Sequence, residues 1–358
     1  MLLALLPAAG CGTEGEAVES RIIGETLTVY SSLPLRGPLA PLSHDLVRAE
    51  KLAVLEVGGR IGPFDIGYVS LDSADPSTGR TSLRTVVLNA RQAVQTPNTI
   101  AYLGELEPGA SAVSLPLVNA AGILQITPGD SYAGLTDPAA GAAQLQPSGR
   151  RTFARVVPDG DEQARALVAL LRAERARRVV VEGGDDRAGR DVARRVRARA
   201  REAGMTVVDR VRGADAYAWT GPARRDGFAA LRAAARADRS LALVAGDPLA
   251  IMPGLRARLG PAARRLALAA VDPAPRSAEG RAFARDFAAQ YGVRPHPRAL
   301  LAYRAMRLVL DGIRRSGDDA QSRRTVNRHA LEAVGGIRPG FARFEIRRAG
   351  LVRVGPAL

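Results

Sequence analysis

Short runs of aliphatic and β-branched residues alternate along this chain with longer stretches whose apolar positions recur every three and four residues. The first series predicts strands over 27–31, 65–71, 99–104 and 122–126, with helices over 43–56, 82–95 and 110–121 between them. Residues 137–151 lack a period and contain Gly141, Pro147 and Gly149, so they connect one unit to the next. A second series predicts strands over 178–182, 206–211, 241–245 and 265–271, and helices over 161–173, 187–203, 226–237 and 249–259. Strand and helix in regular alternation specify α/β architecture with parallel sheets, here as two doubly wound lobes. Beyond Pro275 come two long helical stretches, 277–291 and 298–316, separated by the stop signal Tyr291-Gly292, and a closing hairpin over 341–354.

A length of 358 residues suits two domains with separate cores. Aromatic residues make up only 4%, so those cores must be built from Leu, Val, Ile and Ala. One cysteine excludes an internal disulfide, and His44, His296 and His329 have no metal-ligand spacing, so neither a metal nor another cofactor is expected. The formal charge of +15 invites a nucleic-acid reading, with its densest run at 187–201. Lys51 is the only lysine, however, and arginine in an alanine- and glycine-rich background points to codon bias. The run also lacks aromatic platforms and any reading motif, so no nucleic-acid partner is expected.

The amino terminus changes the picture. Leu6-Pro-Ala-Ala-Gly-Cys11 places the sole cysteine after small residues at the end of an apolar run, which resembles a bacterial lipoprotein cleavage site. On that reading residues 1–10 are a signal segment, Cys11 carries diacylglycerol and anchors the protein to the outer face of the cytoplasmic membrane, and residues 11–25 are a tether. The positive residues that begin a secretory signal are missing after Met1, which a start further upstream would supply.

Four segments in order, Leu27-Thr-Val-Tyr-Ser-Ser-Leu-Pro-Leu-Arg-Gly-Pro38, Tyr102-Leu-Gly-Glu-Leu-Glu-Pro-Gly-Ala-Ser111, Ala121-Gly-Ile-Leu-Gln-Ile-Thr-Pro128 and Phe287-Ala-Ala-Gln-Tyr-Gly292, resemble type I periplasmic binding proteins of the Leu/Ile/Val-binding branch, the substrate receptors of ABC transporters. The resemblance runs from about Leu27 to Val354. It implies two lobes joined by a three-crossover hinge, with lobe 1 formed by 26–150 plus 276–335 and lobe 2 by 151–275 plus 336–358. It also implies an amino acid or related small carboxylate held between lobes that close, and delivery to permease subunits.

The residues offer candidates for each part of such a ligand. After the strand ending near Gly104, the chain turns through Pro108-Gly109 and starts a helix, whose free N–H groups and positive end favour a carboxylate. Ser111 adds a hydroxyl and matches the family's carboxylate-binding serine, though a serine there also serves as a simple helix cap. Gly129 and Ser131, in the loop Thr127-Pro-Gly-Asp-Ser131, match the second contact loop, and Pro-Gly-Asp is equally an ordinary turn. Ser32 and Leu33 match the rim that meets the ligand side chain. In lobe 2, Ala188 stands where the family usually places a stacking aromatic, leaving the pocket larger or differently shaped. Arg187 beside it is either solvated or reaches an acidic group of the ligand. Asp247 and Asp272 each follow a strand, and Asp272 is the candidate for the ammonium site, with capping of the stretch after Pro275 as its other role. Trp219 is either a surface loop residue or a substitute wall.

Catalysis finds little support, since no Gly-x-Ser-x-Gly elbow, phosphate loop or His-Glu-x-x-His is present. The expected function is therefore a lipid-anchored solute receptor that delivers its ligand to an ABC permease; the alternatives are a tethered sensor of the same fold, which nothing in the chain separates from it, and a degenerate receptor with a non-amino-acid ligand.

Overall fold

The computed structural model describes residues 21–357 apart from Arg338 and Ala349, and the expected signal segment, Cys11 and most of the expected tether lie outside the described residues. The first run of elements is β1 (Thr26–Leu33), α1 (Ala40–Glu56), β2 (Arg60–Ile61), β3 (Phe64–Asp72), α2 (Leu83–Gln95), β4 (Thr99–Leu103), α3 (Ser111–Ala120), β5 (Leu124–Thr127) and β6 (Phe153–Arg155). These strands form one sheet in the order β2-β3-β1-β4-β5-β6, parallel except for β2.

The second run is α4 (Gly160–Ala173), β7 (Arg178–Glu182), α5 (Arg187–Glu202), β8 (Thr206–Val207), β9 (Ala216–Trp219), α6 (Arg225–Ala237), β10 (Ala242–Ala245), α7 (Asp247–Ala250), α8 (Leu255–Leu259) and β11 (Leu266–Asp272). Helices α9 (Ala278–Tyr291), α10 (Ala299–Ser316) and α11 (Arg323–Val334) follow, then β12 (Gly340–Arg347) and β13 (Gly350–Ala357). The second sheet runs β13-β12-β11-β10-β9-β7-β8, with β12 and β13 antiparallel at its edge.

Local chemistry sets the helix ends. Asp159 and Glu162 form a reciprocal capping box at the start of α4. Ser277 caps α9 through the Gly280 N–H, and Gly292, with φ of 70°, closes it. Helix α10 buries most of its length, including Leu300, Leu301, Met306, Val309 and Ile313, against α1 and α11 of the first lobe. The chain therefore passes between the two lobes three times, after β6, after β11 and after α11.

Three expectations need correction. Strand β6 pairs with β5, so lobe 1 continues past residue 150 to Arg155. The tether ends before residue 25, because the Ile22 side chain is buried and its N–H donates to the Gln321 carbonyl at 3.0 Å, while Arg21 pairs with Asp319. The expected helix over 249–259 is two short ones, since Pro253 and Gly254, the latter at φ 69°, break it. Sequence periodicity also missed β6, β9 and α11, the first two being only three and four residues long.

Candidate functional site between the lobes

In an open α/β sheet, ligands bind beyond the carboxyl ends of the strands, where the strand order reverses. The reversal falls between β1 and β4 in one sheet and between β7 and β9 in the other. Segments after β4 and β5 meet segments after β7, β9 and β10 across a narrow seam of about 50 Å³, bounded by Glu107, Pro108, Ser131 and Tyr132 on one side and by Ala188, Thr220 and Pro248 on the other. The seam widens into an outer cavity of about 640 Å³. A third space, of about 1140 Å³, lies beside the crossovers between Pro38, Pro41 and Leu42, the 250–256 and 270–277 segments, and the β12–β13 hairpin.

The start of α3 has the geometry of an anion site, and the chain fills it with its own carboxylate. Asp130 accepts from the Gly109 N–H at 2.8 Å, the Ser111 N–H at 2.8 Å and the Tyr132 N–H at 2.9 Å. Its carboxyl is fully buried, and that burial lifts its pKa above the usual carboxylate range against the pull of those three donors. The Ser111 hydroxyl is also engaged, accepting from the Glu105 N–H at 3.1 Å. Gly129 sits so close under Leu106 that a β-carbon would strike its carbonyl oxygen, and Ser131 lines the seam with 2% exposure.

Ser32 and Leu33 lie deeper than the expected rim. Both are fully buried at the end of β1, Leu33 in the apolar core and Ser32 in a polar knot. The Ser32 hydroxyl donates to Glu105 at 3.0 Å and accepts from the Asn89 amide at 3.0 Å, while the Tyr102 hydroxyl donates to the other Glu105 oxygen at 2.8 Å. Burial pushes the Glu105 carboxyl up to about 8. Glu50, beneath the same sheet and bonded by Tyr68 at 2.6 Å, is raised to about 7 for the same reason.

On the lobe 2 side, Ala188 abuts Gly109 and shares an apolar cluster with Tyr132 and Leu135. Tyr132, from lobe 1, lines the same seam. Arg187 is exposed at the first turn of α5, outside the seam lining. Trp219 is 3% exposed at the end of β9 and packs among Gly184, Gly221 and Gly227, so it is core rather than surface loop. The two aspartates are both engaged. Asp247 forms a buried two-bond pair with Arg298 and accepts from the Val271 N–H at 2.7 Å. Asp272 caps the turn at Ala274 and pairs with Arg353 at 3.0 Å beside the crossovers, away from the Ser111 loop. The structure does not bring Ser111 and Asp272 to one cavity.

Sequence reasoning missed Asp130, Glu105, Tyr132 and Arg298. Asp130 and Glu105 stood inside quoted loops, and their chemistry was hidden because a buried carboxylate reads as a turn residue in sequence. Among the described residues, no cluster of three or more His, Cys, Asp or Glu side chains is arranged to hold a metal, and no helix is long and apolar enough to cross a membrane.

Residues 28–213 match the model of a family described as periplasmic binding protein. None of the curated proteins matches the chain in sequence. Among solved structures, a leucine binding protein from Thermotoga maritima superposes with a TM-score of 0.75 at 17% identity, over 92% of this chain and 98% of that one. A solute binding protein of an ABC transporter from R. palustris, in complex with benzoate, gives 0.71 at 18% over 93% and 97%. A branched-chain amino acid transporter substrate binding protein from Streptococcus pneumoniae, in complex with isoleucine, gives 0.66 at 15% over 92% and 100%. At such identities these likenesses establish the two-lobed fold.

Proposed function

This chain belongs to the periplasmic binding protein family, and we propose on that footing that it is a lipid-anchored receptor that captures a small organic solute between its lobes and delivers it to the permease of an ABC transporter. It is a binding protein rather than an enzyme, and acts outside the cytoplasmic membrane. The observation that carries the receptor reading is the meeting of both strand-order reversals across one seam, with loops from each sheet lining it. A solute gripped there contacts both lobes at once and so stabilises the closed arrangement over any open one.

The solute class is that of the related proteins, an amino acid or a small carboxylate such as the leucine, isoleucine or benzoate of the neighbours named above. Anchoring by lipid on Cys11 rests on the small-residue pattern before it. Thermal unfolding of the full chain against amino acids, aromatic carboxylates and polycarboxylates tests the receptor reading. Ligand at ~100 times its dissociation constant contributes about 2.7 kcal/mol, which raises the midpoint by several degrees. A saturable rise with at least one class is the expected result, and no rise with any of them overturns it. Globomycin-sensitive processing and labelling with a radioactive fatty acid test the anchor, and a Cys11→Ser chain that is still labelled refutes it.

A further inference from the structure

The seam at the strand-order reversals holds about 50 Å³, and its anion position at α3 is occupied by Asp130. The ligand's charge must then be read elsewhere in the interlobe space. The outer cavity, of about 640 Å³, shares Glu107, Ala223, Arg224 and Met252 with the seam, so the two are continuous. Its volume falls inside the ~300–1,000 Å³ range of small-molecule sites.

The lining of this cavity is strongly one-signed. Arg80 comes from the β3–α2 loop of lobe 1, and Arg224, Arg225, Arg232 and Arg258 from lobe 2, against only Asp75 and Glu107. No ion pair engages these five arginines among the described residues, in contrast to α5, where Arg194, Arg195 and Arg199 all pair with aspartates. Two are held in place by neutral partners: Arg232 donates to the Arg258 carbonyl at 2.5 Å, and Arg258 donates to the Pro253 carbonyl at 3.1 Å while lying 5.6 Å over the Phe228 ring. The loop that presents Arg80 is fixed as well, through Asp75 N–H to the Arg80 carbonyl at 2.7 Å and the close approach of Gly79 to Gly37. Carbonyl and ring partners orient a guanidinium without neutralising it, and its planar donor fork matches carboxylate and phosphate oxygens.

We propose that this outer cavity reads the charge of the ligand, and that the ligand is a small polyanion with two or more carboxylate or phosphate groups, gripped by Arg80 from one lobe and by Arg224 and Arg225 from the other. The inference rests on the receptor reading and departs from the solutes of the related proteins, replacing net-neutral or singly charged leucine, isoleucine and benzoate with a polyanion.

Isothermal titration of the full chain at constant ionic strength tests it, with citrate and fructose 1,6-bisphosphate as polyanionic probes and benzoate and leucine as singly charged and net-neutral ones. At least one polyanion binds at least ~10-fold tighter than either reference compound, a separation of about 1.4 kcal/mol. Citrate and fructose 1,6-bisphosphate separate a carboxylate ligand from a phosphate ligand. The double variant Arg224→Ala/Arg225→Ala loses that binding by ~10-fold or more, with an unchanged unfolding midpoint in the absence of ligand because both side chains are exposed and form no ion pair among the described residues. Arg210→Ala/Arg212→Ala, which removes the same charge far from the cavity, leaves it unchanged. Equal losses in both double variants would reduce the effect to net charge and overturn the proposal. Leucine or benzoate binding equally to parent and Arg224→Ala/Arg225→Ala, with no polyanion preferred, overturns it too while the receptor reading stands. Absence of binding by all four probes refutes the polyanion site, and the wider thermal screen then decides the receptor reading separately.

Discussion

Arg298, at the start of α10 in lobe 1, forks onto Asp247, at the start of α7 in lobe 2, with Nη1 3.0 Å from Oδ2 and a second bond from Nη2 to Oδ1. The two side chains are only 7% and 6% exposed, so this is a desolvated ion pair between lobes. Asp247 also accepts the Val271 N–H, which ties the pair to β11 just before the second crossover. Together with the Arg195–Asp137 pair at 2.7 Å, it links lobe 2 to lobe 1 independently of the connecting chain.

Removing one partner of that pair strands the other as a buried charge. Asp247→Ala is expected to destabilise the protein by about 3–5 kcal/mol, read from urea unfolding. Replacing both partners with apolar residues, Asp247→Leu with Arg298→Met, should recover most of that loss. A single variant that unfolds like the parent would show that water reaches the pair.

Asp130 does for the α3 start what a bound anion does elsewhere. Asp130→Ala leaves the N–H groups of Gly109, Ser111 and Tyr132 without their acceptor, at an expected cost of about 3 kcal/mol in urea unfolding. Acetate or formate at molar excess should then restore part of the loss in the variant and leave the parent unmoved. A variant insensitive to those anions would mean that the loop rearranges rather than leaving an open site.

Gly227 lies in α6, where alanine would ordinarily gain up to about 1 kcal/mol. A β-carbon there would sit 2.8 Å from three atoms of the Trp219 indole, which is boxed in by Gly184 and Gly221. The clash decides the sign: Gly227→Ala should lower stability by about 1–3 kcal/mol and shift the tryptophan emission. A stabilised variant would show that the ring has room to move.

Burial holds the Glu105 carboxyl at about 8, against 4.5 for the free side chain. Between those values the native state keeps a proton that the unfolded chain has released, so stability falls as pH rises from roughly 4.5 to 8. Glu50, at about 7, adds to the fall up to that pH, whereas neutral buried His296, lowered to about 4, acts in the opposite sense between 4 and 6.5. From pH 7 to 8 Glu105 contributes a slope of at most about 1.4 kcal/mol per pH unit, and Asp130, which burial also raises, acts in the same sense. Glu105→Gln should reduce the slope of stability in that window, measured by urea unfolding at closely spaced pH.

Much of the architecture was legible because it depends on local pattern. The alternation of aliphatic runs with three-and-four periodicity located β1, β4, β7 and β10 and the long helices α1, α2, α4, α5, α9 and α10 to within a few residues. The missed elements carry weak local signals. Strand β6 is three residues, β9 is four and ends in Trp219, and α11 buries only Arg323, Val326, Asn327 and Ala330 on an otherwise polar helix. Its start was marked by Ser322, whose hydroxyl accepts from the Thr325 N–H, a cap legible in sequence that lacked an apolar run behind it.

The sequence alone determined two α/β lobes, the turn and helix start at 104–111, and the lack of a ring at Ala188, since periodicity, turn chemistry and residue type are properties of neighbouring positions. Tertiary structure decided that Asp130 fills the α3 start, that Tyr132 joins Ala188 in one apolar cluster, and that Asp247 and Asp272 are taken by Arg298 and Arg353. It also gathered Arg80, from the β3–α2 loop, with four lobe 2 arginines around one cavity. These pairings join residues up to more than a hundred positions apart, and a charge's role is set by the partner that desolvates or neutralises it, which only the folded chain supplies.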